Sequence, residues 1–195
     1  MALFTGLGLT PEQKQLRDRN SEAEQCVSWR NTLVATSPIV RFMMEKLAKA
    51  GCPFDVSTLP CEPCDEMRAG GFSPDIGVQL CQNRFFDKTH MEDTLAHELV
   101  HAYDHCVFKV DWSNCYHHAC SEIRAASLSG DCRFTREFAR GNVGYLKQHQ
   151  KCVKRRALLS VLANPSCQAP GQAERAVNAV FESCFNDTTP FREIY

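Results

Sequence analysis

The sequence predicts an α+β fold dominated by helices, with one small sheet and several disulfides. Three observations carry that reading. Apolar residues recur at helical spacing over about 89–106, 114–129, 142–163 and 171–185. A single stretch, 75–83, alternates in the manner of a strand. Twelve cysteines are spread through 195 residues, an even number and far above ordinary intracellular use. The length suits one domain overall, with 1–50 as a helical N-terminal arm packed on a core unit of 51–195.

Taken in order, Thr10-Pro11-Glu12-Gln13 combines an N-cap, proline at the first helical position and glutamine at the third, so a helix starts there. Ser37-Pro38 repeats the signal, and Ile39, Phe42, Met43, Met44 and Leu47 form an apolar face that Gly51 ends. Residues 51–74 hold four prolines, three cysteines and adjacent glycines, which predicts a loop stapled by cysteines. After the 75–83 strand, Thr89 with Glu92 predicts a capping box at the start of the next helix. Gly130, Gly141 and Asn164-Pro165 separate the helices that follow.

Composition removes several classes of function. With 22 basic and 23 acidic residues the formal net charge is −1, so no nucleic acid is expected as a partner. The run from Lys151 to Arg156 reads as a solvated helix face. The longest strongly apolar stretch, near 157–163, is far short of the roughly 20 residues a spanning helix needs. Any membrane contact is therefore expected to be peripheral. Phe4, Leu7 and Leu9, or the 142–163 helix with its basic residues, would serve, though packing explains both equally.

The only CxxC, Cys61-Glu62-Pro63-Cys64, cannot fill a tetrahedral structural zinc site. Disulfides follow as the main expectation, with pairing left open by the spacing. Residues 1–10 carry neither a basic n-region with a long apolar h-region nor an Arg-rich presequence. Oxidised cysteines without such a signal point to the mitochondrial intermembrane space, with secretion as the alternative.

The chemistry lies in His97-Glu98-Leu99-Val100-His101. On a helix, His97 and His101 fall four residues apart and project from one face. Glu98 is turned about 100° from His97. Two imidazoles can then grip Zn²⁺ while the carboxylate accepts a proton from an attacking water, which is the HExxH arrangement of zinc proteases. A catalytic zinc usually takes a third protein ligand. Glu122, with 20 residues between it and His101, has room to return on a second helix and is the leading choice. Asp104, seven residues after His97, lies on the same face and suits the support of a ligand imidazole. His105 continues the stripe but diverges too far on a straight helix. Tyr116, His117, His118 and His149 stand as unranked lining residues.

The stretch His97-Glu98-Leu99-Val100-His101-Ala102-Tyr103-Asp104 resembles the mitochondrial inner-membrane metalloprotease family that assists ATP-synthase assembly, known in animals as Ku-binding proteins. The similarity extends to Cys120-Ser121-Glu122-Ile123-Arg124-Ala125, to Ser129-Gly130-Asp131-Cys132 and to Cys184-Phe185-Asn186-Asp187-Thr188-Thr189-Pro190-Phe191. It implies a zincin-like, Zn²⁺-dependent endopeptidase peripheral to the inner membrane, oxidised by the disulfide-relay import machinery. It implies protein substrates, among them the propeptide of an ATP-synthase membrane-sector subunit, and a second, protease-independent role as an assembly chaperone. Metal binding then falls to His97 and His101, and catalysis to Glu98. Where some HExxH…E enzymes place an orienting aspartate four residues after the glutamate, this chain has Ala126, so Asp104 or Asp131 would have to take that part.

Overall fold

The computed structural model describes residues 10–65, 67–142, 144 and 147–192. The expected membrane contacts Phe4, Leu7 and Leu9 lie outside them. Helix α1, Pro11–Thr36, opens with the Thr10/Gln13 capping box, and α2, Pro38–Lys49, opens on Ser37, whose hydroxyl accepts from the Val40 amide. Val40, Met43 and Leu47 of α2 are fully buried, and Gly51 ends the helix with a positive φ of 87°.

The segment 51–74 is not all loop. It supplies β1, Cys61–Glu62, and β2, Gly70–Ser73, which flank β3, Gly77–Cys81, in a three-stranded sheet of order β1-β3-β2. β1 runs parallel and β2 antiparallel to β3. A two-residue strand and a Gly-Gly-Phe-Ser strand carry little propensity of their own, so pairing with β3 creates them. β3 itself is shorter than 75–83, because Ile76 is exposed in the turn that leads to Gly77. A Cβ on Gly77 would lie 2.5 Å from the Thr58 carbonyl oxygen, and its φ is +95°.

Helix α3, Lys88–Phe108, is capped by Asp87, not by Thr89: the Asp87 carboxylate accepts from the His90 amide at 2.7 Å. A carboxylate facing the positive helix end wins over the Thr89 hydroxyl two residues further in. α4, Cys115–Leu128, starts under the Asn114 side chain. A short α5, Phe134–Ala139, was not expected, and α6, Gln148–Ala163, begins later than residue 142. α7 is Gln172–Asn186. No helix among the described residues is long and apolar enough to cross a membrane.

Two buried clusters organise these elements. One joins α1, α2, α3 and the sheet around Met43, Leu47, Leu80, Leu95 and Leu99. The other joins α4, α6 and α7 around Ile123, Val153, Val161 and Val177. Their seam, where α3 meets α4, holds the site. All twelve cysteines are paired: Cys26–Cys61, Cys52–Cys106, Cys64–Cys81, Cys115–Cys167, Cys120–Cys184 and Cys132–Cys152. The two cysteines of the CxxC thus bond to different partners.

Candidate metal centre

The helical repeat puts His97 and His101 on the side of α3 that faces α4, with Glu98 beside β2, and α4 turns Glu122 back toward the two imidazoles. His97 Nε2 and His101 Nε2 are 3.1 Å apart. Glu122 brings Oε2 to 3.5 Å from His97 Nε2 and Oε1 to 3.4 Å from His101 Nε2. Ligand atoms about 2.1 Å from one tetrahedral ion stand about 3.4 Å from one another. The donor set therefore fits a zinc-sized cation, and two nitrogens with one carboxylate suit Zn²⁺ chemically.

The electrostatics favour positive charge at this point. Burial opposes the imidazolium of His101, yet Glu122 beside it, with Glu98 and Asp104 adding, outweighs burial and lifts its pKa to about 9. Burial likewise opposes the Glu122 carboxylate, but His101, His118 and His97 hold it well below the usual range.

Outer partners fix Glu122 and His101. Ser160 Oγ donates to Glu122 Oε1 at 2.6 Å, and His118 Nε2 donates to the same oxygen at 3.3 Å. Asn164 Nδ2 donates in turn to His118 Nδ1 at 2.8 Å, which sets the His118 tautomer. On the other side, His101 Nδ1 contacts Ser121 Oγ at 2.8 Å, and that hydroxyl donates to Asp104 Oδ2 at 3.0 Å. Asp104 therefore meets the ligand imidazole through a serine, not directly. Burial pushes the Asp104 carboxyl up to about 6 against the pull of Arg124.

Glu98 is buried to 7% exposure and lines a cleft of about 1070 Å³ together with His97, His101 and Glu122. Strand β2 forms one wall. A Cβ on Gly70 would lie 2.8 Å from Thr94 Cγ2, 3.0 Å from the Gln79 carbonyl oxygen and 3.5 Å from Glu98 Cγ. Only a glycine lets the strand lie this close to the face of α3 that carries Thr94 and Glu98. Among the described residues β2 pairs with β3 alone, so its outer edge borders the cleft.

The remaining sequence candidates separate clearly. His105 stacks on Trp112 and leaves Nδ1 buried without a partner, outside the donor set. His117 accepts the Asp111 amide, Tyr116 is half exposed and His149 packs on Phe185. Asp131 lines the cleft but is engaged by Arg140 and Arg156. Four contributors escaped the sequence reading: Ser121, Ser160, Asn164, and Trp112, whose ring lies 5.6 Å from that of His101. Ser121 alone had a signal, its place next to Glu122.

Known proteins resemble this chain over most of its length. The profile of the peptidase M76 family matches residues 24–192. The chain belongs to that family. It is similar to "Mitochondrial inner membrane protease ATP23" of Mycosarcoma maydis, with 49% identity over 95% of this chain and 98% of the relative. It is similar to the protein of the same name from Kluyveromyces lactis, with 49% identity over 98% of this chain and 85% of the relative. With that from Saccharomyces cerevisiae strain S288c it shares 46% identity over 100% of this chain and 92% of the relative. No solved structure matches the chain. Membership makes this chain an M76 peptidase.

Proposed function

We propose that this M76 peptidase is a zinc-dependent endopeptidase of the mitochondrial intermembrane space, held peripherally at the inner membrane. The observation that carries the reading is the spacing of His97 Nε2, His101 Nε2 and the Glu122 carboxylate, 3.1 to 3.5 Å, beside a cleft-lining Glu98. Bound there, a zinc ion supplies Lewis acidity to the scissile carbonyl and acidifies the attacking water. Glu98 accepts the proton of that water and returns it to the leaving amine. The free edge of β2, with Gly71 and Phe72 in the cleft wall, suits an extended peptide added as a further strand. An edge of this kind reads main chain, which favours internal cleavage of unfolded segments over recognition of a folded surface.

The substrate follows from the resemblance: the propeptide of an ATP-synthase membrane-sector subunit, with the chain also assisting assembly of that sector. Relatives named as inner membrane proteases support a mitochondrial over a secreted setting. Six disulfides support an oxidising compartment such as the one the relay serves.

The test uses Glu98→Gln in mitochondria that lack their own counterpart. The variant should bind one zinc per chain and leave the subunit's propeptide uncut, whereas the unaltered chain removes it. Propeptide removal by Glu98→Gln overturns the catalytic assignment. Restored ATP-synthase assembly by the uncutting variant would assign assembly to a protease-independent surface.

A further inference from the structure

Two patches of the sequence that carry the resemblance, around Cys120–Ala125 and around 184–191, meet in the structure at one side chain. Arg124 is 2% exposed, among the largest fully buried residues. Its Nε donates to both oxygens of Asp104 at 3.0 and 3.1 Å, and its Nη2 pairs with Asp104 Oδ1. Nη1 reaches the Asp187 carbonyl oxygen at 2.8 Å and Asp187 Oδ2 at 2.7 Å, and Nη2 also donates to the Thr189 carbonyl. Every N–H of the guanidinium is used. Beyond Asp104 stand Ser121 and then the His101 ring.

We propose that Ser121 and Arg124 are positioning residues of the metal centre, through which residues 187–189 fix the orientation of His101. The inference rests on the zinc reading above. An ionised Asp104 only accepts, so it takes the single Ser121 proton, and the hydroxyl oxygen must then accept from His101 Nδ1–H. That assignment leaves Nε2, the atom 3.1 Å from His97 Nε2, as the coordinating nitrogen. Ser121 and Asp104 are each 1% exposed, so water cannot replace a missing link. Arginine is required because the five donors of its planar fork serve both Asp104 oxygens, the Asp187 carboxylate and two carbonyls at once, more than the three donors of a lysine ammonium can reach. The C-terminal segment thereby becomes part of the site without touching it.

Competition between the purified, oxidised chain and a chromophoric chelator for Zn²⁺ tests this, together with the visible spectrum of the Co²⁺-loaded protein. Measurements are made well below each metal-free melting temperature. Ser121→Ala and Arg124→Lys should each weaken zinc binding by about 10- to 100-fold and alter the cobalt bands. Asp187→Ala, which removes one of the Arg124 contacts, should alter them in the same direction by less. Wild-type affinity and spectrum in Ser121→Ala and Arg124→Lys overturn the proposal, even if both melt earlier. An unchanged spectrum in Asp187→Ala alone removes the C-terminal segment from it. An unaltered chain that binds no zinc overturns the metal reading itself, a distinct result.

Discussion

His97 Nε2 and Glu122 Oε2 stand 3.5 Å apart, although 24 residues and a change of helix separate them in the chain. Ser160 and His118 hold Glu122 Oε1, which also stands 3.4 Å from His101 Nε2, while Oε2 faces His97. Glu122→Gln preserves the shape and one carbonyl acceptor but removes the charge. It should weaken zinc binding by more than about 100-fold, since even an outer partner of a ligand is worth 10- to 100-fold. Isothermal titration with Zn²⁺ checks this, and affinity like that of the unaltered chain would remove Glu122 from the ligand set.

The metal-free protein should respond to alkaline pH. His101 is raised from 6.5 to about 9, against burial, by Glu122 next to it. A pKa raised on folding stabilises fully below the unfolded value, and the contribution fades as pH climbs through the folded one. Chelator-treated protein should therefore lose stability between pH 7 and 9, by at most about 3 kcal/mol. Zinc displaces that proton, so affinity should rise by up to about tenfold per pH unit below 9. Differential scanning calorimetry with and without zinc reads the first effect. A melting temperature of the stripped protein that holds steady from pH 7 to 9 contradicts it.

Gly70→Ala should damage the active face of α3 without touching a ligand. The new methyl would stand 2.8 Å from Thr94 Cγ2 and 3.0 Å from a backbone oxygen that cannot move aside cheaply. Overpacking of this kind costs about 1–3 kcal/mol. The strain is relieved by moving β2 off α3, so peptide hydrolysis should fall more than zinc affinity does. Unchanged melting and unchanged turnover would mean that β2 does not define the cleft wall.

What the sequence discloses follows from the range of the interactions involved. The HExxH spacing, the Thr10 and Ser37 caps and the Gly51 stop are local, and each appears where residue type alone predicts. β1 and β2 exist only through pairing with β3, so Gly70-Gly71 and Cys61-Glu62 read as loop. α5 is held by Arg136 on Asp93 and by Glu137 among Arg140, Arg155 and Gln148, partners spread from residue 93 to 155. Ser160 and Trp112 join the site from α6 and from the loop before α4, where neither residue type announces chemistry. Asp104 reaches His101 only through Ser121, because α4 delivers a hydroxyl into the gap.

Two disulfides of similar thermodynamic weight should differ in what they do to zinc. Cys115–Cys167 closes a separation of 52 residues and Cys26–Cys61 one of 35, so chain entropy assigns each about 4 kcal/mol. Cys26–Cys61 ties α1 to β1, away from the ligands. Cys115–Cys167 instead binds the start of α4 to the turn that carries Asn164, whose amide holds His118 and, through it, Glu122. Replacing Cys115 and Cys167 by alanine together should lower both the melting temperature and the zinc affinity. The same double replacement at Cys26 and Cys61 should lower the melting temperature alone. Zinc titrations on the two variants at a temperature where both remain folded decide the matter. Equal affinities would mean that the Asn164–His118–Glu122 chain holds its geometry without the bridge.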